Sequence, residues 1–155
     1  MGFTTPSLKG RALRLLAQRE HSRLELERKL AGHVAEGDDL AAVLNELEAR
    51  DFINPERVAQ SVAWRRGSKL GTARVAQEMR SKGLDDDTVR AAIEELRATE
   101  GQRAHAIWRQ RFGTLPTTPQ EKLKQMRFLA GRGFAGDVVR KVVNGQVDED
   151  TPNQD

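Results

Sequence analysis

Two stretches of this chain, fifty residues apart, end one helix and begin the next with the same chemistry. Lys82-Gly83-Leu84 is followed by Asp85-Asp86-Asp87, and Arg132-Gly133-Phe134 is followed closely by Asp137. A cation in the last turn, a glycine free to go left-handed and an apolar residue that folds back make a helix stop. The acids beyond supply an N-cap and oppose the positive end of the next helix dipole. Val75 and Met79 lie at i, i+4 before the first stop, and Val89, Ile93 and Leu96 carry a stripe after it, so Gly71 to Leu96 reads as a helical hairpin.

The hairpin recurs. A shift of 50 places Met79 on Leu129, Val89 on Val139 and Ile93 on Val143. A shift of 49 places Leu26 on Val75, Leu30 on Met79, Leu40 on Val89, Leu44 on Ile93 and Leu47 on Leu96. Any two amphipathic helices share apolar spacing, but shared stops and starts at one offset indicate a repeat. The first copy departs at the stop, with His33-Val34 where the others have Lys82-Gly83 and Arg132-Gly133, and the leading helices align only through Trp64-Arg65 and Trp108-Arg109. Units this small cannot bury their apolar faces alone and are expected to stack. The fold class expected is all-α, three tandem three-helix repeats forming an elongated curved array. The repeats span 7–53, 54–100 and 101–145, between an N-terminal tail over 1–6 and an acidic, disordered tail over 146–155.

Local signals place the remaining helix starts. Ser7 caps a first helix and Ser22-Arg-Leu-Glu25 has the form of a capping box, with Gly32 ending the helix it opens. Asp38-Asp39 precedes a helix with Leu40, Val43, Leu44 and Leu47 inward, and Phe52 and Ile53 close the unit. Asn54-Pro55 and Thr118-Pro119 pair a cap with proline in the first turn, the second within a box completed by Glu121. Asp137 opens the last helix, with Val138, Val139, Val142 and Val143 inward.

Enzyme chemistry finds little support. His21, His33 and His105 fall in different units without a ligand-spaced partner, and each reads as a surface or boundary residue. Gly67-Ser-Lys-Leu-Gly71 lacks both the spacing and the preceding strand of a phosphate loop. The acidic runs are explained by capping, so neither metal nor cofactor is expected. With no cysteine, no basic-then-apolar leader and no membrane-length apolar run, the expectation is a cytoplasmic protein without membrane contact.

Charge is the remaining signal. Residues 101–145 hold nine Lys/Arg against two Asp/Glu, and the tail 146–155 holds four acids and no base. Such segregation points to an anionic partner or an acidic protein surface. The candidate contact residues are Arg65, Arg66, Lys69, Arg74, Arg80 and Lys82 in the second unit. In the third they are Arg103, Arg109, Arg111, Lys122, Lys124, Arg127 and Arg132. Trp64 and Trp108 stand beside Arg residues, an arrangement compatible with base stacking, although a Trp on an apolar helical face is more often core.

Taken in order, several segments resemble the RecX family. They are Ser22-Arg-Leu-Glu-Leu-Glu-Arg-Lys-Leu30, Asp51-Phe-Ile-Asn-Pro-Glu-Arg-Val-Ala59, Arg65 to Gly71, Met79-Arg-Ser-Lys-Gly-Leu84 and Phe128-Leu-Ala-Gly-Arg-Gly-Phe134. The resemblance implies a crescent of three repeats that lodges in the groove of the RecA–DNA filament. It also implies a partner, RecA protein and its single-stranded DNA filament, and a non-catalytic role. Binding would hinder filament extension, ATP hydrolysis, strand exchange and coprotease function in recombination and the SOS response. The basic residues above are a physical inference placed on that partner; weak direct DNA binding and a monomeric state are further expectations. Two other classes compete. One is a direct DNA-binding protein of helix-turn-helix-like units, against which stands the spread of Arg and Lys over several helices rather than one recognition helix. The other is a passive helical scaffold.

Overall fold

The computed structural model describes residues 5–147. Among them nine α-helices and no strand occur: α1 Leu8–Gln18, α2 Arg23–Leu30, α3 Leu40–Ala49, α4 Pro55–Gly67, α5 Thr72–Ser81, α6 Asp86–Ala98, α7 Glu100–Arg111, α8 Pro119–Gly131 and α9 Gly136–Val143. The N-terminal residues 1–4 and the acids at Asp148, Glu149, Asp150 and Asp155 lie outside the described residues.

The caps explain where the helices begin. Ser7, Asp39, Asn54, Asp85 and Thr118 each accept a backbone N–H three residues on with a side-chain oxygen. Ser22 and Glu25 close a full capping box. The box expected at Thr118 is shifted, because the Glu121 carboxylate takes the amide and hydroxyl of Thr117 instead. Gly32 sits inside a 3-10 turn, Ala31–His33, that follows α2. Ala135, not Asp137, is the N-cap of α9, leaving Asp137 in the first turn to act through the dipole.

Each consecutive helix triplet encloses its own apolar cluster. Leu26, Leu30, Leu44 and Leu47 fill the first with Leu8 and Ile53. Val58, Val62, Val75, Met79 and Val89 fill the second. Ala104, Trp108, Leu129, Phe134, Val139, Val142 and Val143 fill the third. Phe52 departs from expectation: it is 44% exposed, and Ile53 alone turns inward to close the first unit. His21 departs the other way. It is buried, with Nδ1 3.0 Å from the Arg19 carbonyl and Nε2 3.0 Å from Lys29 Nζ, and burial leads the lowering of its pKa.

The units meet by one contact used twice. The residue capping the second helix of one unit bonds to the carbonyl at the helix stop of the next. The Ser22 hydroxyl donates to the Lys82 carbonyl at 2.6 Å, and the Gly71 amide donates to the Arg132 carbonyl at 2.8 Å. The stop glycines, Gly83 at φ 79° and Gly133 at φ 92°, lie under Leu24 and Arg74 respectively. A side chain at either place would be strained by the backbone and would strike the preceding unit. The repeated stop is therefore both a helix terminus and a docking point.

The first junction carries an ion cluster. Glu25 accepts from Arg19 at 2.7 Å and from the Ser22 amide at 3.1 Å, and lies 3.2 Å from Lys82 Nζ. Burial pushes the Glu25 carboxyl up, but the bonds from Arg19, Ser22 and Lys82 outweigh it and hold it at about 2. Because this folded-state value lies below the ordinary 4.5, the stabilisation is present above pH 4.5 and is lost as pH falls from there toward 2. The shift corresponds to about 3 kcal/mol at neutral pH. Chemical denaturation of Glu25→Gln against the parent should show a gap of that order at pH 7 that narrows steadily below pH 4.5. A gap independent of pH would show that the carboxylate charge contributes nothing there.

Candidate interaction surface

The basic residues divide by what the fold already asks of them. Arg103, on α7, is spent internally. Its Nη1 donates to the carbonyls of Gly67 at 2.9 Å and Leu70 at 2.6 Å, and its Nη2 to Leu96 at 2.9 Å and the Thr72 hydroxyl at 3.0 Å. Its Nε reaches the Thr99 hydroxyl at 3.1 Å. Burial pulls its pKa down, with Glu100 pulling the other way. Buried Glu100 in turn accepts the Thr72 amide at the start of α5, 2.9 Å away. These two residues of α7 tie down the turn between α4 and α5. Lys82 is likewise engaged, its side chain 15% exposed against Glu25. Arg66 is exposed but held by Glu78 at 2.8 Å.

The other candidates face outward. Arg65, Lys69, Arg74, Arg80, Arg109, Arg111, Lys122, Lys124 and Arg127 are exposed, and Arg132 is half-buried. Arg74 also lays its aliphatic stem over Gly133, so part of it belongs to the junction. Arg111 and Arg132 share a ring: their guanidinium carbons lie 5.4 Å and 5.1 Å from the Phe128 centroid. A cation over an aromatic face keeps its full charge and its hydrogen-bond donors at the ring edge. Arg132 further contacts the Lys69 carbonyl at 3.4 Å, which draws the α4–α5 turn of the second unit toward the pair.

Ion pairing differs between the units. In the first, Lys9, Arg19, Arg23 and Arg50 each have a carboxylate within 4.0 Å, while Arg11, Arg14, Arg28 and Lys29 make no ion pair among the described residues. In the third, Arg111, Lys122, Lys124, Arg127 and Arg132 make no ion pair among the described residues. The repeat offset supplies one reason. Glu25 of the first junction corresponds to Arg74 of the second, and Lys82 to Arg132, so the pairing of the first junction has no counterpart in the second. Uncompensated charge therefore gathers on the third unit and its border with the second.

The tryptophans do not correspond as their neighbours suggest. Trp108 is 6% exposed, with its indole N–H donating to Gln125 Oε1 at 2.8 Å, whereas Trp64 is 86% exposed. Base stacking at Trp108 is excluded by that burial.

Comparison with known proteins follows the same architecture. Residues 99–143, the span of α7 to α9, match the family model described as RecX, third three-helix domain. The chain is 50% identical over 137 residues to the regulatory protein RecX of Leptothrix cholodnii, covering 88% of this chain and 87% of that protein. The chain belongs to the RecX family. The regulatory protein RecX of Chromobacterium violaceum is 44% identical, with 93% of each chain covered. The crystal structure of RecX from Lactobacillus salivarius superposes with a TM-score of 0.71 at 21% identity, over 90% of this chain and 94% of that one. The all-helical RecX fold is thus shared well beyond close sequence similarity.

Proposed function

We propose that this RecX-family chain is a non-catalytic regulator that binds the RecA–DNA filament and restrains RecA activity. The observation that carries the reading is the uncompensated basic surface of the third unit and its border with the second, Arg111 and Arg132 around Phe128 with Lys122, Lys124 and Arg127 on α8. A nucleoprotein filament offers phosphates and acidic protein surface along one groove, and a tandem array can address several sites along it. Charge speeds encounter and makes binding salt-sensitive, while apolar and hydrogen-bonding contacts set the register. The curated relatives named regulatory protein RecX support a regulatory role over a catalytic one.

The partner is tested by titrating the chain against fluorescently labelled single-stranded DNA, against RecA alone and against the filament. The expected result is strongest binding to the filament, with affinity falling as salt rises. Tight binding to naked DNA together with unaltered RecA-dependent ATP hydrolysis would overturn the reading in favour of a direct DNA-binding protein.

Arg111→Ala combined with Arg132→Ala tests the aromatic-seated pair. Removing two charge-assisted contacts to the filament should weaken binding by about 2–4 kcal/mol, or at least about thirtyfold, at low salt. A binding isotherm that matches the parent would show that the pair only covers Phe128.

A further inference from the structure

The middle unit carries a surface of opposite character to the basic one. Val58 and Val62 of α4 are buried, while Trp64 is 86% exposed on the solvent side of the same helix. Beside it α4, α6 and the start of α7 enclose an open groove of about 700 Å³, lined by Trp64 itself with Gln60, Ala63, Leu96 and Thr99. It continues into a second hollow of about 430 Å³, sharing Gln60, Ala63 and Glu95, with Ala59 and Ala92 in its lining. Together they run beside α4 from Glu56 to Ser68, about 18 Å at the rise of a helix.

The charge lining this trough is acidic. Glu56, Asp85, Asp87 and Glu95 line it, and the one cation in its lining, Arg103, has its donors turned to backbone carbonyls and hydroxyls of the fold. Arg90 lies 3.6 Å from Asp87 on an exposed stretch of α6, where screening leaves the pair weak. Arg66, next but one to Trp64, is turned to Glu78 of α5. Phosphates are repelled by such a lining, which argues against a nucleic-acid strand. A large exposed indole over an apolar floor is the kind of anchor that dominates protein–protein contacts.

We propose that the α4–α6 trough is a protein-docking site, and that its occupant is a cationic, amphipathic segment of a partner protein. An apolar side chain of that segment packs against Trp64 and Leu96, and its Lys or Arg residues face Glu56, Asp87 and Glu95. The small residues Ala59, Ala63 and Ala92 let the partner backbone approach closely. The chain then has two interaction surfaces of opposite sign, one for an anionic groove and one for a basic protein segment.

The peptide selection needs neither RecA nor its filament, so its outcome is independent of the regulatory reading. A display library of random peptides of about twelve residues is selected on the full chain and counter-selected on Trp64→Ala, whose exposed position leaves folding intact. Enriched peptides are then titrated while the two indole N–H signals are followed by NMR. The expected peptides combine Lys or Arg with Leu, Ile, Phe or Met. They move the Trp64 signal and leave Trp108 in place, and bind about tenfold more weakly to Trp64→Ala and to Glu56→Gln/Glu95→Gln. The proposal is overturned by the absence of any enriched peptide, by acidic enriched peptides, or by equal binding to Trp64→Ala. It is also overturned if oligothymidylate, titrated in parallel, moves the Trp64 signal, which would make the trough a site for unstacked bases.

Discussion

Arg103→Ala is expected to lower the melting temperature by about 10 °C. The substitution takes the donor from three carbonyls, those of Gly67, Leu70 and Leu96, and from the hydroxyls of Thr72 and Thr99. The Leu96 carbonyl keeps the amide and hydroxyl of Thr99, so the loss falls on the Gly67 and Leu70 carbonyls and the Thr72 hydroxyl. Leaving such acceptors without Arg103 costs about 1 kcal/mol or more each, for a sum of about 3–4 kcal/mol. In a chain of this length each kcal/mol moves the midpoint by about 2–4 °C. Arg103→Lys should recover only part of the loss, because one ammonium cannot reproduce a planar fork that reaches the α4–α5 turn and the end of α6 together. Thermal denaturation followed by circular dichroism decides the matter. A shift below about 2 °C for Arg103→Ala would return this residue to the set of free surface cations.

Gly71→Ala should be of similar size for a purely steric reason. Gly71 has φ −72°, where alanine is at ease, so backbone strain plays no part. A Cβ there would overlap the Gly133 carbonyl and the Phe134 amide, which are backbone atoms that no rotamer change can move aside. The second and third units would have to part locally, stretching the bond from the Gly71 amide to the Arg132 carbonyl. Overpacking of this kind costs about 1–3 kcal/mol, with the lost hydrogen bond adding about 1. Gly101 and Gly131 are controls in the same fold: each lies in a helix where, beyond the backbone of its own helix, no atom comes within 4 Å of an added Cβ. Their alanine variants should be stabilised by about 0.5–1 kcal/mol. Denaturant titration of the three variants gives the contrast directly, and equal midpoints would remove the junction from the account.

Helix starts and stops were legible because capping is local chemistry, settled within four residues. Ser22 with Glu25, Asn54 before Pro55, and Asp85 after Gly83 show their role in the order of residue types. Repetition made the apolar positions legible too, since Leu30, Met79 and Leu129 occupy one place in three copies. What local pattern does not carry is the meeting of units. Arg103 and Lys82 look like any other cations on amphipathic helices, and only carbonyls or a carboxylate from distant parts of the chain turn them inward. The same limit applies to Trp64 and Trp108. Both precede an arginine, but Trp108 lies four residues after buried Ala104, whereas Trp64 lies two after buried Val62. Counted from the core positions instead of from the Trp-Arg pairs, the spacing distinguishes them. His21 was beyond reach of such counting, because its burial depends on Lys29 and the backbone at Arg19.

The split between cations that hold the fold together and cations that face outward leads to the measurement that bears most directly on function. RecA-catalysed ATP hydrolysis on single-stranded DNA is followed as the parent chain, or the variant Lys122→Glu/Lys124→Glu/Arg127→Glu, is added. All three residues are exposed on α8 and make no ion pair among the described residues, so the variant should melt with the parent. The account predicts that the parent suppresses hydrolysis and that the variant requires about tenfold more protein for the same effect, from about 0.5 kcal/mol at each reversed charge. The difference should shrink as salt is raised. Hydrolysis untouched by the parent, or suppressed equally by parent and variant at low salt, would contradict it.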